Sequence, residues 1–209
     1  MNRNSIYKNL ELPKKDAIDR HFSLVMETNK RLNLTSIKDH EIGKVLHLED
    51  SLCALPEIVE WHEGLYIDFG SGGGFPGIPL AISTGKETVL VESVKKRAKA
   101  LVEFCEELDL VNQVHIEDVR IEELPESYKE KAAIVTARAL SSIPSLLELA
   151  SPLLKNGGRL ILYKSGTYKD ELDRGNRIVS KLGFAYPRTI DYNLSDGTAR
   201  SLILYSKIA

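Results

Sequence analysis

The chain has 209 residues, enough for one domain with a sizeable core and at most a short appendage. Its formal net charge of −2 excludes a generally basic protein, so any RNA contact requires basic residues gathered on one face. No apolar run approaches the ~20 residues that span a bilayer, and no signal-like segment precedes the first helix. Cys53 and Cys105 are far apart, without a C-x-x-C pair or a His/Cys cluster. We therefore expect a cytoplasmic protein with no membrane partner and no metal.

The pattern of apolar residues in the first 60 positions predicts helices. Apolar residues recur at helical spacing in two stretches. We expect residues 1–60 to form a helical cap on a core of residues 61–209, the chain as a whole being a single domain. The apolar positions are Ile18, Phe22, Leu24 and Val25 in one helix, and Ile42, Val45, Leu46, Leu48 and Leu52 in the other.

A glycine loop follows the cap and is the most informative segment of the chain. An apolar strand, Leu65–Phe69, leads into a cluster of glycines, and a helix is predicted to begin at about Pro76. Glycine allows the tight turn and lets a ligand lie against the backbone, while proline suits a first helical turn. The N–H groups at the start of the helix favour an anionic ligand. The segment therefore predicts a cofactor loop.

Two cofactors fit this loop. Residues 72–77 match G-x-G-x-x-G, and Glu92 lies near the offset expected of a ribose-binding acid, which would indicate a nicotinamide or flavin dinucleotide. The overlapping pattern Asp68-x-Gly70-x-Gly72-x-Gly74 resembles the first motif of S-adenosylmethionine-dependent methyltransferases. In that motif the loop holds the amino-acid end of the cofactor, and Asp68 attracts its ammonium group.

The remaining elements favour the methyltransferase alternative. Strands alternating with helices predict a parallel sheet covered on both faces. Two final strand-like runs surround a turn at 195–197 without a helix between them, which resembles the seven-stranded, mostly parallel methyltransferase sheet with its last strand antiparallel. The predicted strands are Thr88–Ser93, Val114–Asp118, Ala132–Ala137, Arg159–Lys164, Phe184–Tyr192 and Arg200–Tyr205, and the helices are Lys95–Leu110, Ile143–Leu154 and Asp170–Leu182.

Five segments extend the resemblance to nearly the whole chain. They are Asn33–Ser36, His47–Ser51, Asp68–Leu80, Glu92–Leu101 and Thr136–Ala139. In this order they resemble the bacterial small-subunit ribosomal RNA guanine-N7 methyltransferases, the RsmG or glucose-inhibited division protein B family. The chain departs from the family pattern at Leu46, where Arg or Lys is usual, and at Thr28, where Trp is common.

The resemblance implies an α/β fold with a Rossmann-like class I S-adenosylmethionine-dependent core and an N-terminal helical cap. It implies methylation of guanine N7 in 16S ribosomal RNA of the small ribosomal subunit, in the 530 loop of the decoding region, by a protein that we expect to be a monomer. Guanine N7 carries a lone pair and no proton, so direct displacement needs no general base. The chain has no Asn-Pro-Pro-Tyr or Pro-Cys motif, which agrees with this chemistry.

The implied cofactor residues follow the strand ends, where ligands bind in such sheets. Glu92 would accept hydrogen bonds from the ribose hydroxyls, or else be a solvated strand end. Ile121 and Glu122 would meet the adenine, or form a plain loop. Phe75 would line the pocket or be buried in packing. The glycine-loop residues expected to bind the methionine part are Asp68, Gly70, Ser71, Gly72 and Gly74.

The resemblance implies that Arg138, which closes the fourth strand beside the transferred methyl group, is the catalytic residue. It would contact the cofactor and orient the guanine, or instead anchor a phosphate or form a salt bridge. Asp50 would flank the methylated base, or tie the cap to the core. The residues predicted to contact RNA are Asn33, His47, Asp50, Lys96, Arg97 and Lys164.

Two other functions stay open at this point. A dinucleotide-dependent oxidoreductase fits the glycine spacing, although the chain has no Tyr-x-x-x-Lys pair and no second substrate lobe. A catalytically idle RNA-binding or ribosome assembly factor fits the fold, although the acidic balance disfavours strong RNA affinity.

Overall fold

The computed structural model describes residues 3–59 and 64–208, with a seven-stranded sheet at its centre. The strands are β1 (Leu65–Phe69), β2 (Thr88–Val91), β3 (Val114–Glu117), β4 (Ala132–Arg138), β5 (Leu154–Lys164), β6 (Arg188–Asn193) and β7 (Ala199–Ser206). They lie in the order β3-β2-β1-β4-β5-β7-β6. Strand β7 is antiparallel to both of its neighbours, and the other adjacent pairs are parallel. The predicted methyltransferase-like sheet is confirmed.

Helices cover both faces of this sheet. They are α1 (Leu12–Leu32), α2 (His40–Gly43), α3 (Asp50–Leu52), α4 (Leu55–Val59), α5 (Gly77–Thr84), α6 (Lys95–Glu107), α7 (Ile143–Ala150) and α8 (Lys169–Asn176). A π-helical segment, Lys44–Glu49, joins α2 to α3, and a 3-10 turn, Ile121–Glu123, follows β3. Within residues 3–59 and 64–208, no helix is long and apolar enough to cross a membrane.

The alternation of side chains along the strands divides the core into two layers. Tyr66 of β1 points into the layer that contains the N-terminal helices, α5 and α6, whereas Ile67 points into the layer that contains α7. Phe22 of α1 and Leu48 of the π-helical segment are buried in the first layer. Burial of side chains of this size stabilises the fold by about 1.5–3 kcal/mol each, so the N-terminal helices are firmly packed on the sheet.

The N-terminal helices differ from the prediction at one point. Ile42 was expected on the apolar face with Leu48 and Leu52, but its side chain is 52% exposed. The cause is the π-helical segment Lys44–Glu49, because its wider turns rotate the later side chains relative to Ile42.

Three predicted helices end earlier than expected. Helix α6 ends at Glu107 instead of Leu110. The first of the other two ends at Ala150 instead of Leu154, because Leu154 already pairs with Ala132 as the first residue of β5. Strand β5 then runs through Gly157 and Gly158, the residues that were expected to separate a helix from a strand. The second ends at Asn176 instead of Leu182.

The order of the strands creates a crevice at the site. Strand β1 has β2 on one side and β4 on the other, so the connections that follow β1 and β4 leave the sheet in opposite directions. Ligands bind to such sheets outside the carboxyl ends of the strands at this point of reversal. The glycine loop follows β1 and Arg138 ends β4, so both lie at the crevice.

Candidate functional site

The glycine loop joins β1 to α5 and is anchored by backbone hydrogen bonds. The N–H groups of Gly70 and Ser71 both donate to the Val91 carbonyl, at 2.8 and 3.1 Å. Gly74 has a φ of 89°, and a Cβ atom there would lie 2.9 Å from the Nε2 of His21. Position 74 therefore requires glycine because the loop packs directly on α1.

The Glu92 carboxylate joins this loop to the start of α6. Its Oε2 accepts a hydrogen bond from the Gly72 N–H at 2.9 Å, and its Oε1 accepts one from the Val94 N–H at 2.8 Å. Glu92 is only 4% exposed, so it is not a solvated strand end. Each carboxylate oxygen can accept a second hydrogen bond, which leaves acceptors for a diol.

A cavity of about 370 Å³ opens beside Glu92 and is called here the Glu92 cavity. Gly70, Glu92, Ile121 and Glu122 line it, so four of the residues predicted to bind the cofactor meet in one place. Its volume lies within the usual range for ligand pockets. Leu140 also lines it and covers Gly70, since a Cβ on Gly70 would lie 2.6 Å from Leu140 Cδ1.

Asp68 lies beneath the loop and is fully buried. Its Oδ1 accepts a hydrogen bond from the Thr136 hydroxyl at 2.6 Å, while its Oδ2 has no partner among the described residues. Burial raises the pKa of this carboxyl to about 6, against the lowering effect of the Thr136 hydrogen bond. This oxygen faces the start of α5, where a Cβ on Gly77 would lie 2.9 Å from it and where the Gly77 backbone also lowers the pKa of the carboxyl.

Phe75 is buried between two histidines. Its ring stacks on His47 at a centroid distance of 4.7 Å and lies 4.6 Å from His21. Phe75 does not line the Glu92 cavity, so the structure favours its packing role. Burial lowers the pKa of both imidazoles to about 3, so both are neutral at physiological pH.

We expect His21→Gln to make the free energy of unfolding less sensitive to acid. The pKa of His21 is about 3 in the folded protein and about 6.5 when unfolded. Between these values the unfolded state binds the extra proton, so this histidine lowers stability by about 1.4 kcal/mol for each pH unit of acidification. Glutamine does not titrate and still donates to the Gly73 carbonyl, which His21 Nε2 contacts at 2.9 Å.

Urea unfolding of both proteins between about pH 5 and 6.5 measures this slope. Asp68, whose pKa is raised, affects stability in the opposite direction in both proteins, so the difference between them isolates His21. Equal slopes would mean that the folded protein protonates His21 as readily as the unfolded chain does.

Arg138 ends β4 and is held by the N-terminal helices. Its Nη1 donates to the Leu46 carbonyl and to Asp50 Oδ2, both at 3.1 Å, and its Nη2 lies 3.3 Å from His47 Nδ1. The Leu46 contact uses the backbone, so the departure from the family at position 46 does not remove it. The salt-bridge alternative for Arg138 is therefore observed, and its side chain keeps 16% exposure.

Asp50 ties the N-terminal helices to the far edge of the sheet. Besides Arg138, it accepts a hydrogen bond from the Tyr192 hydroxyl at 2.8 Å and lies 3.8 Å from Arg200 Nε. Its side chain is only 4% exposed. The structure therefore supports the second alternative for Asp50, in which it links the N-terminal helices to the core.

Arg138 also lines a second cavity, of about 380 Å³, called here the Arg138 cavity. His47, Asp50 and Lys164 line it as well, and Ala139 borders both cavities. The two cavities are therefore adjacent, with the strand end at Arg138 and Ala139 between them.

The residues predicted to contact RNA differ in solvent exposure and in their partners. Lys96 and Asn33 are exposed, whereas His47 and Asp50 are buried. Lys164 is only 14% exposed and pairs with Glu171 at 2.7 Å. Arg97 lines the Glu92 cavity.

The described residues contain no activated thiol. Cys53 and Cys105 are both buried, and burial raises the pKa of the Cys105 thiol to about 12 and that of Cys53 further. Both ring nitrogens of His47 are engaged, Nε2 with the Thr35 hydroxyl at 2.9 Å and Nδ1 with Arg138. In residues 3–59 and 64–208, no group of three or more acidic, histidine or cysteine side chains is arranged to hold a metal ion.

Sequence reasoning did not find three residues of this site. Tyr192 and Arg200 reach Asp50 from β6 and β7, and Leu140 covers Gly70. The sequence did predict the hairpin that carries Tyr192 and Arg200. It did not indicate that β7 pairs with β5, where Ser201 lies opposite Lys164, and this pairing is what brings the hairpin to the site.

Comparison with known proteins identifies the family. The model of the family described as "GidB: rRNA small subunit methyltransferase G" matches residues 14–191. Relatives named "Ribosomal RNA small subunit methyltransferase G" include one from Pseudothermotoga lettingae, 34% identical over 93% of this chain and 84% of that protein. Another, from Acetivibrio thermocellus, is 37% identical over 86% of this chain and 75% of that protein.

Solved structures agree at the level of the fold. An S-adenosylmethionine-dependent O-methyltransferase from Thermotoga maritima superimposes with a TM-score of 0.61 and 15% identity, over 88% of this chain and 71% of that one. At this identity the likeness supports the class I methyltransferase fold alone. Taken with the family match over most of its length, the chain is an S-adenosylmethionine-dependent methyltransferase and belongs to the rRNA small subunit methyltransferase G family.

Proposed function

We propose that this enzyme transfers the methyl group of S-adenosylmethionine to N7 of a guanine in 16S ribosomal RNA, in the 530 loop of the small subunit. The observation that carries the proposal is the pair of cavities that share Ala139, one suited to a nucleoside and the other to a base. The names of the relatives support ribosomal RNA as the acceptor. We place the protein in the cytoplasm, with the ribosomal subunits, as a monomer.

The residues at the glycine loop fit the cofactor. The negative charge of Asp68 beneath the loop would attract an ammonium group, and the remaining acceptor sites of Glu92 suit the ribose hydroxyls. The space beside Gly72 is open, because the nearest atom to a Cβ there would be the Gly70 carbonyl oxygen at 3.9 Å. When bound, S-adenosylmethionine supplies an electrophilic methyl group on a sulfonium.

The Arg138 cavity suits a base that is already nucleophilic. The side chains of His47 and Asp50 in this cavity are engaged with Thr35, Arg138 and Tyr192, so neither is free to remove a proton. Guanine N7 needs no such group, because its lone pair is exposed and it carries no proton. Catalysis would then rest on alignment of the base and on donors that Arg138 directs at it.

The Arg138–Asp50 ion pair suits the charge that develops on the base. Guanine methylated at N7 becomes cationic, and an isolated guanidinium beside it would repel that charge. Asp50 lies 3.1 Å from Arg138 Nη1 and compensates its charge. Arg138 can therefore donate hydrogen bonds to the guanine without opposing the product.

RNA would approach from the exposed rim around the Arg138 cavity. Asn33 and Lys96 are exposed and would be available for backbone contacts, where each neutralised phosphate adds salt-dependent affinity. The target base would leave its stack to reach the cavity, so the conformation of the subunit contributes to specificity.

Transfer of labelled methyl tests this proposal. Small subunits from cells that lack the enzyme are incubated with the protein and labelled S-adenosylmethionine, and the digested RNA is analysed by mass spectrometry. We expect label in 7-methylguanosine. Cofactor binding without label in RNA would mean that this methyltransferase acts on another acceptor, and label in another nucleoside would refute N7 as the acceptor.

A further inference from the structure

Arg97 occupies an unusual position on α6. It lies in the first turn of the helix and lines the Glu92 cavity, together with Glu92 and Ile121. Two other basic residues of the same helix, Lys96 and Lys99, are exposed and do not line this cavity. The side chain of Arg97 is thus separated from its basic neighbours and directed at a ligand-sized space.

Among the residues that the structure describes, none forms an ion pair or hydrogen bond with the guanidinium of Arg97. Its Nε is buried without an acceptor among the described residues, and no ion pair joins it to a described carboxylate. Lys95, by contrast, pairs with Asp118 at 2.7 Å. Most buried donors in folded proteins are hydrogen-bonded, so a guanidinium that no described acceptor holds, on a residue that lines a cavity, is available to a ligand there.

The lining of the cavity argues against a phosphate contact. Glu92 and Glu122 share the cavity wall with Arg97, and their carboxylates would repel a phosphodiester. A nucleoside inside the cavity offers ring nitrogens and ribose oxygens as acceptors. Its base also offers a flat face on which a guanidinium stacks favourably.

We propose that Arg97 binds the adenosyl part of the cofactor, with the planar guanidinium packing against the adenine and its N–H groups on the cavity side donating to the nucleoside. This role replaces the RNA contact predicted for Arg97 from the sequence. The inference rests on the proposed placement of S-adenosylmethionine in the Glu92 cavity, and it extends the set of residues that hold the cofactor to the first turn of α6.

Calorimetric titration with S-adenosylhomocysteine, in the absence of RNA, tests the assignment. We expect Arg97→Ala to weaken binding by about 10- to 100-fold, as for loss of a hydrogen bond from a charged donor. Arg97→Gln, which keeps N–H donors without the charge, is expected to give a smaller loss. Lys99→Ala removes an exposed positive charge from the same helix and is expected to bind like the wild type.

Two results would overturn the proposal. Wild-type affinity in Arg97→Ala, with weaker binding of small subunits, would return Arg97 to the RNA surface. Equal weakening in Lys99→Ala would attribute the effect to the general charge of α6. Because the titration contains no RNA, it tests the role of Arg97 in cofactor binding independently of the proposed RNA acceptor. A wild-type protein that binds S-adenosylhomocysteine through Arg97 but methylates no guanine would refute the acceptor alone.

Discussion

Replacing Arg138 with alanine is expected to lower the kcat/KM of methyl transfer to small subunits by about 100- to 1000-fold, the usual loss for one well-placed hydrogen-bond donor. The side chain lines the Arg138 cavity and has its donors fixed by Leu46, Asp50 and His47. Affinity for S-adenosylhomocysteine is expected to change less, because Arg138 does not line the Glu92 cavity. Steady-state kinetics and calorimetry on the same preparation measure both quantities.

The same substitution is expected to lower stability, which requires a control. Removing one partner of a buried ion pair typically costs about 3–5 kcal/mol, and we expect about 2 kcal/mol here because Tyr192 and Arg200 still face Asp50. The double variant Arg138→Ala, Asp50→Asn removes the uncompensated charge and is expected to recover part of the stability but none of the turnover. Turnover restored in the double variant would mean that Arg138 acts only by neutralising Asp50.

Gly72→Asp is expected to weaken S-adenosylhomocysteine binding by more than about 100-fold while the protein still folds. Gly72 has a φ of 57°, a conformation that Asp tolerates, and the space beside it is open. The new carboxylate would fill that space, where the cofactor is proposed to lie, and would stand beside Glu92, which already accepts the Gly72 N–H. Calorimetry measures the affinity, and urea unfolding measures the cost of the backbone conformation.

Gly85→Asp provides a matched control for this variant. Gly85 has a φ of 70° and nothing within 4 Å of a Cβ, so aspartate there meets a similar backbone cost in a similar open space. It ends α5, at the opposite end of that helix from the glycine loop. We expect wild-type affinity in Gly85→Asp. Equal loss of affinity in both variants would mean that left-handed strain, rather than occupation of the cofactor space, causes the effect.

The parallel core could be predicted because its signals are local. The strand Leu65–Phe69 ends in glycines, and the structure has β1 at those bounds with α5 one residue after Pro76. The hairpin at the end of the chain could be predicted from two apolar runs around a turn. Glu92, Ile121 and Glu122 follow strand ends, and parallel strands bring their carboxyl ends to one edge, so these residues meet in one cavity.

Contacts between distant segments could not be predicted. Arg138 and Leu46 are 92 residues apart, and their contact depends on how the N-terminal helices pack across the sheet. The π-helical segment that turns Ile42 outward has no sequence signal of its own. The orientation of the Arg97 side chain could not be predicted either, because a run of basic residues at the start of a helix does not indicate which of them lines the cavity.

Mapping the methylated nucleotide tests the central claim most directly. Small subunits from cells that lack the enzyme are treated with protein and S-adenosylmethionine, and the RNA is reduced and cleaved with aniline at 7-methylguanosine. The account predicts one new cleavage site, at a guanine of the 530 loop, that the Arg138→Ala variant does not produce. Label incorporated without cleavage at any guanine, or cleavage outside that loop, would contradict it.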